Sequence, residues 1–347
     1  MRWVRLPASL QQRSSQCIIR FLHVVVLAHV TLNAAALVAN TQRYDYRHHG
    51  QDWTAGQCAS RERQSPIDFD SDAPWSCKAV KQPTNPCYGG QFYYKYDPVN
   101  DNVTLRSDGS GLIADLAGRG IGGITIDDIW FHLTIVKFHG LSEHTFRQEH
   151  MPLEIQLIHA TDDFERVFVI AVPIVATSSP LASGSAETAL PGAVVRVSGP
   201  QAGGSPSTVV LPQPADLVSP LLDGGTFFQY DGSLTSPPCS EQVTWLVRRE
   251  PLALMPQTLA ILQQSVSQAA GGVGNWRSPM PLMQRRILMR TATKGLPPLT
   301  PAPAPGEAAV PPIVFGPATF RGVAAAREAL AAAYHASAIG HRISSAP

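Results

Sequence analysis

The chain has 347 residues, 30 prolines, 27 glycines and a formal net charge of +1 at neutral pH. A charge so close to zero leaves no electrostatic footprint for nucleic acid, and no nucleic-acid partner is expected. The length allows one large domain with extensions, or two domains.

The N-terminus carries Arg2, Arg5, Arg13 and Arg20, then a mostly apolar stretch from Phe21 to Ala39. A basic start, an apolar run and small residues at Ala34, Ala35, Ala36 and Ala39 have the pattern of a secretory signal. The stretch also approaches the ~20 residues that span a bilayer, although His23, His29, Thr31 and Asn33 interrupt it. Residues 1–40 are therefore read as a signal peptide or signal anchor, and an uncleaved anchor would be the chain's membrane contact. Five cysteines behind such a leader fit an oxidising compartment. The expected location is the secretory pathway, secreted or membrane-associated, and Asn102-Val103-Thr104 fits the glycosylation acceptor pattern of such proteins.

From residue 41 to 294 short apolar runs alternate with Gly, Pro, Asn and Asp turns. Gly123 to Phe131, Thr134 to His139, Leu153 to His159, Val167 to Val175 and Val243 to Val247 are the clearest. Runs of this length and spacing predict a mostly β domain. Helical periodicity appears at Met255 to Ser267, through Leu259, Leu262 and Val266. Residues 176–207, rich in Ser, Gly, Ala and Pro, read as a flexible surface insertion. Residues 295–347 form a Pro/Ala-rich extension, with a proline-dense linker and an alanine-rich stretch of high helix propensity.

The most informative segment is Lys137-Phe138-His139-Gly140-Leu141-Ser142-Glu143-His144-Thr145, followed by Glu154-Ile155-Gln156-Leu157-Ile158-His159. Alternate residues of a strand share a face, so positions 137 and 139 address one site. By the same parity His132 is expected on the opposite face from Lys137, and His159 on the opposite face from Gln156.

This segment closely resembles the zinc core of the α-type carbonic anhydrases. Other elements follow in family order: Tyr46, Gly50 and Trp53; Gln64-Ser65-Pro66-Ile67-Asp68; Tyr230 to Cys239 with its Gly-Ser-Leu-Thr-Ser-Pro-Pro; Glu241 with Val243-Thr244-Trp245; and Asn275-Trp276-Arg277. The resemblance implies a single domain with a large, mainly antiparallel twisted sheet and few short helices. It also implies a Cys58–Cys239 disulfide, which by chain entropy would contribute about 3–5 kcal/mol. Cys77 and Cys87 are candidates for a second, local bridge or for two thiols.

The family hydrates carbon dioxide with a hydroxide on zinc. Three neutral ligands leave the ion's charge free to lower the bound water's pKa to ~7. The resemblance assigns Thr235 and Glu143 as the hydroxide-orienting pair and Ile158, Leu234 and Trp245 as the apolar substrate wall. Glu154, His144 and Asn275 would brace the ligands. In the family the positions matching 137, 139 and 156 are all histidines, and here only His139 remains. Gln156 is an acceptable ligand if Glu154 takes an amide N–H and turns the oxygen inward. Such a His and Gln set resembles the η-class enzymes and carbonic-anhydrase-related proteins of apicomplexan parasites.

Lys137 departs from every such pattern, because a protonated amine has no lone pair and repels a divalent ion. The glutamine that braces the first histidine in the family is Ile135 here. The residues therefore point to a carbonic-anhydrase-related protein with a degraded zinc site, little hydration activity, and a binding or structural role with an unidentified protein partner. The alternative is a weakly active, zinc-dependent η-like enzyme acting on carbon dioxide and bicarbonate. Zinc enters either reading through the resemblance.

Overall fold

The computed structural model describes residues 44–70, 87–99, 103–107, 110–116, 119–179, 187, 189, 207–209 and 215–298. The leader at 1–40, Cys17, Cys77, Asn102, most of the 176–207 insertion and the extension beyond residue 298 lie outside the described residues. Among the described residues no helix is long and apolar enough to cross a membrane.

In chain order the elements are β1 (Asp68–Phe69), β2 (Tyr88–Tyr96), β3 (Val103–Ser107), β4 (Leu112–Asp115), β5 (Gly122–Ile126) and β6 (Ile129–His139). There follow β7 (Thr145–Phe146), β8 (Glu149–His150), β9 (Leu153–Ala160), β10 (Val167–Ala176), β11 (Ser207–Val209) and the short helix α1 (Ser219–Leu222). The last are β12 (Thr226–Gly232), β13 (Val243–Arg248), β14 (Leu252–Leu254), α2 (Pro256–Ala269) and β15 (Leu288–Lys294). Twelve strands form one sheet ordered β11-β3-β4-β6-β5-β2-β15-β12-β13-β10-β14, with β9 pairing both β6 and β10; β1, β7 and β8 form a second, small sheet. Most neighbours are antiparallel; β10 with β13 and β14, β15 with β2, and β1 with β7 run parallel. The mostly β, mainly antiparallel domain expected from the sequence is observed.

The apolar runs became strands for the expected reason, with one boundary moved. The run Gly123 to Phe131 is broken by Asp127 (φ 49) and Asp128 (φ 62), both in the left-handed region. Two such residues make the tight turn whose twist matches paired strands. Everything from Ile129 to His139 is then one strand, β6, antiparallel to β4, β5 and β9.

The sheet buries two apolar faces. Phe131, Leu133, Val136 and Phe138 of β6 join Ile155 and Leu157 of β9 and Ile170 and Val172 of β10 in one large core. Helix α2 covers this side with Leu259, Leu262 and Val266. Pro256 opens that helix at its first turn, where a missing N–H costs nothing. Glu187, inside the expected insertion, accepts hydrogen bonds from Met255 N (2.7 Å) and Thr258 Oγ1 (2.9 Å) at the same helix end. Ala189 is fully buried in the core. At these two residues the segment is anchored rather than free.

The other face carries Ile113, Ile135, Ile158, Val169, Tyr230 and Trp245. Register alignment sets them in rows across five strands: Ile135 opposite Ile158, Ile158 opposite Val169, Val169 opposite Trp245, Trp245 opposite Tyr230. The adjacent row contains Lys137 opposite Gln156, and the next His139 opposite Glu154.

A bulge in β6 corrects one parity expectation. The register shifts between Leu133 and Ile135, and Thr134 donates its hydroxyl to Ile158 O at 2.9 Å. A bulge adds one residue and inverts the alternation beyond it. His132 therefore lies on the same face as Lys137, not the opposite one. It is still no ligand: five residues at ~3.3 Å each put it on the order of 16 Å away. There it pairs with Asp162 at 3.1 Å. His159 does face away from Gln156, and its Nε2 meets Tyr96 Oη at 2.7 Å.

Candidate functional site

Lys137, His139, Gln156 and Glu154 come together where β6 and β9 pair, and all are buried. His139 is fixed at its Nδ1, which donates to Asn275 O at 2.5 Å. Asn275 is itself clamped: its Nδ2 donates to Phe138 O at 2.9 Å and its Oδ1 accepts Gly140 N at 3.0 Å. This docking requires the glycine at 111, where a Cβ would lie 2.3 Å from Asn275 Nδ2. With the proton held at Nδ1, the Nε2 of His139 presents its lone pair, and that buried atom has no hydrogen-bond partner. Burial, aided by the charge of Lys137 and opposed by Glu143, lowers the pKa of His139 below its ordinary value. The ring is therefore held neutral, the form a metal ligand needs.

Gln156 spends both amide hydrogens on carboxylates: its Nε2 donates to Glu154 Oε1 at 2.9 Å and to Glu143 Oε2 at 2.8 Å. The reverse amide orientation would set an oxygen against two carboxylates, so the carbonyl oxygen is the end left to face the site. The Glu154 brace expected from the sequence is present.

Glu154 also accepts His144 N at 3.0 Å and faces His144 Nδ1 at 3.2 Å. Burial pushes the Glu154 carboxyl up, but His144 and the Gln156 amide outweigh it, and its pKa lies below the ordinary value. The far nitrogen of His144 meets Tyr230 Oη at 2.8 Å, and that hydroxyl reaches Ser65 Oγ at 2.9 Å.

The pairing of Glu143 with Thr235 is the one expected when a metal is bound; the contacts of Glu143 in this structure are others. Its Oε1 accepts Arg277 N at 3.0 Å, its Oε2 accepts Gln156, and among the described residues no hydrogen bond joins it to Thr235. An amide brings two N–H donors where an imidazole brings one, and the second is satisfied at Glu143. Thr235 is buried in the loop after β12. Leu234 beside it is partly buried against the core that contains Ile158 and Trp245. Trp245 is tied to that loop through Nε1 to Ser233 O at 3.0 Å.

Two supports were not assigned roles from the sequence. Arg277 is 1% exposed and donates to Gln64 Oε1 (2.8 Å), Ser65 O (2.9 Å) and Cys58 O (3.0 Å). Tyr230 anchors His144. Both lie inside matched sequence elements, and that was their only signal. The Cys58–Cys239 disulfide forms, with Cα atoms 4.9 Å apart. Cys87 is disulfide-bonded as well, whereas Cys77 lies outside the described residues.

The fit to zinc is partial. His139 Nε2 and the Gln156 oxygen are two suitable donors. The third place in the row belongs to Lys137, 3% exposed, which brings a cation and no lone pair when protonated. Among the described residues no three His, Cys, Asp or Glu side chains are placed to hold a metal ion. As the chain stands, its donors do not complete a three-ligand zinc centre.

The fold agrees with the family comparisons. The chain belongs to the carbonic anhydrase family: the eukaryotic-type carbonic anhydrase model matches residues 48–291. Among curated relatives, dioscorin DB3S of Dioscorea polystachya is 28% identical over 186 residues, 54% of this chain and 65% of its own length. A carbonic anhydrase of Klebsiella pneumoniae is 29% identical over 203 residues, 58% of this chain and 72% of its own. The chain thus spans just under two thirds of that dioscorin. The α-carbonic anhydrase of Photobacterium profundum superposes with a TM-score of 0.54 at 27% identity, covering 71% of this chain and all of that one.

Proposed function

We propose that this is a carbonic-anhydrase-related protein that hydrates carbon dioxide little or not at all and is retained for a binding or structural role. The observation that carries the reading is Lys137, buried on the ligand face opposite Gln156. Its ammonium supplies, from within the chain, positive charge to a site that buries Glu143 and Glu154, since buried carboxylates need compensation. The disulfide supports residence in the secretory pathway.

A second reading, a weakly active η-like carbonic anhydrase, is favoured by the orphaned His139 Nε2 and by the amide orientation of Gln156. There zinc would be held by His139 and Gln156, and would supply an activated hydroxide when bound. The chain's own contribution would be to keep His139 neutral and to turn the Gln156 oxygen inward.

Stopped-flow hydration of carbon dioxide by zinc-incubated protein separates the two. Turnover equal to buffer is expected, and turnover well above it would overturn the first reading. Lys137→His should then gain zinc binding, read by calorimetry, together with measurable hydration. If it binds no zinc, the loss extends beyond residue 137, with Ile135 the nearest change.

A further inference from the structure

The strip Asn275-Trp276-Arg277 bonds the site at both ends: Asn275 O accepts His139 Nδ1, and Arg277 N donates to Glu143 Oε1 at 3.0 Å. Trp276 between them is partly exposed, and two imidazoles lie against its indole. The His49 ring stacks on it with centroids 3.5 Å apart and planes at 13°; the His150 ring tilts on it at 4.3 Å. Each imidazole also donates its Nδ1 hydrogen to a backbone carbonyl, His49 to Trp276 O at 3.2 Å and His150 to Ser142 O at 2.6 Å. A carbonyl only accepts, so both rings carry a proton at Nδ1. Ser142 immediately precedes Glu143, is fully buried, and is further tied to Met151, N to O at 2.9 Å and Oγ accepting Met151 N at 2.8 Å. The loop that brings His49 is seated on the same strip. Ser278 N donates to His49 O at 2.9 Å, and a Cβ on Gly50 would lie 2.9 Å from Arg277 Cγ, so only a glycine allows that approach.

We propose that His49 and His150 are positioning residues that act through Trp276, an outer clasp that holds His139 and Glu143 in place. His49 fixes the strip that supplies the acceptor of His139 and a donor to Glu143. His150 fixes the Ser142 carbonyl, one residue before Glu143 in the chain. By sharing one indole the two rings tie residues 275–277 to residues 142–143, the stretches that meet at Glu143. The clasp is the solvent-facing part of this support. His49, His150 and Trp276 are partly exposed, whereas Ser142, Glu143, Asn275 and Arg277 are buried. A change at the surface therefore reaches the site through a short, continuous set of contacts, the physical basis that coupling requires.

The inference goes beyond the proposed function and does not depend on it, because the clasp acts on protein groups and not on a metal. The resemblance assigned neither His49 nor His150 a role.

The experiment is hydrogen exchange on the full chain, followed by NMR at three places: the Nδ1 proton of His139, the Arg277 amide, and the amides of Ile155 and Leu157 as a reference for opening of the core. Losing a stacked ring together with a hydrogen bond should speed local opening about 10-fold. His49→Ala is therefore expected to speed exchange of the His139 Nδ1 proton by about that factor, with the reference amides unchanged. His49→Phe keeps a ring on Trp276 and loses the bond, and should fall between wild type and His49→Ala. His150→Phe should act mainly on the Arg277 amide, the donor to Glu143. His132→Ala, at a surface imidazole paired with Asp162, should alter neither. Unchanged exchange at both site positions would overturn the proposal. So would an equal acceleration of the reference amides, since the rings would then add general stability and position nothing. Should His49→Ala fail to fold, His49→Phe and His150→Phe decide the question in the same way. Carbon dioxide hydration tests the proposed function separately, and neither result substitutes for the other.

Discussion

On one face of β6, Phe131, Leu133, Val136 and Phe138 pack into an apolar core beneath α2; on the other, Ile135 gives way to Lys137 and His139 beside two buried carboxylates. Both faces are equally dry, yet they are held by different physics. The apolar side depends on shape and volume, and any side chain of similar size and chemistry serves there. The polar side depends on counting donors and acceptors. Among the described residues the buried polar atoms left without a hydrogen-bond partner there are His139 Nε2 and Arg277 Nε. Family membership is written mainly in what both faces share, the strands and their order. The candidate site occupies one row of the polar face, so a substitution at position 137 changes its donor set without disturbing the frame.

The largest effect that tests this contrast comes from the apolar side. Phe138 is fully buried and sits between Leu112 and Ile155 in the register. Phe138→Ala should cost about 3–5 kcal/mol, the transfer loss plus the cavity left behind. Urea denaturation would show it as a lowered midpoint with an unchanged slope. A loss below about 1 kcal/mol, well under the usual core range, would mean that this face relaxes freely and that the two faces are not so different.

Much of this arrangement was legible in the residues themselves. Alternation placed 137, 139 and 156 on one face because the strand between Ile135 and His139 is regular. It misplaced His132, because the bulge at Thr134 carries no glycine or proline to mark it. Two aspartates in left-handed geometry split an apolar run that reads as continuous. The Glu154 brace was readable from its position two residues before Gln156. The second amide bond, to Glu143, was not, since it depends on how residues 140–144 bring that carboxylate back against β9. Glu187 was equally hidden: its partners are Met255 and Thr258, contacts that only the folded chain creates.

A smaller effect is expected where the polar face is best satisfied. Glu154 bonds His144 and Gln156 at once, so Glu154→Gln keeps the shape while removing the charge and reversing one donor. Hydrogen bonds to a charged group contribute about 1.5–3 kcal/mol, and a loss in that range is expected by thermal or chemical denaturation. In the Lys137→His background the same change should weaken zinc about 10- to 100-fold, because outer partners orient a ligand. Unchanged affinity would show that Glu143 alone is enough to orient the Gln156 amide.

The gentlest test uses pH, and it bears on both faces. His159, on the α2 side, is pushed by burial from 6.5 down to about 3, and His139, on the polar side, is shifted in the same direction. In each case the folded chain refuses a proton that the unfolded chain accepts. The contribution to stability is therefore complete above 6.5 and is lost as pH falls, for His159 over the window from 6.5 to about 3. Glu154 adds to the loss further down, as pH falls through its depressed folded value, below the ordinary 4.5. Urea midpoints measured from neutral to acid pH should decline with no plateau between these limits. His159→Gln should flatten the upper part of that decline and leave the carboxylate part in place. If the slope is unchanged in His159→Gln, acid sensitivity belongs to the polar face alone, and the apolar core has no titrating weakness of its own.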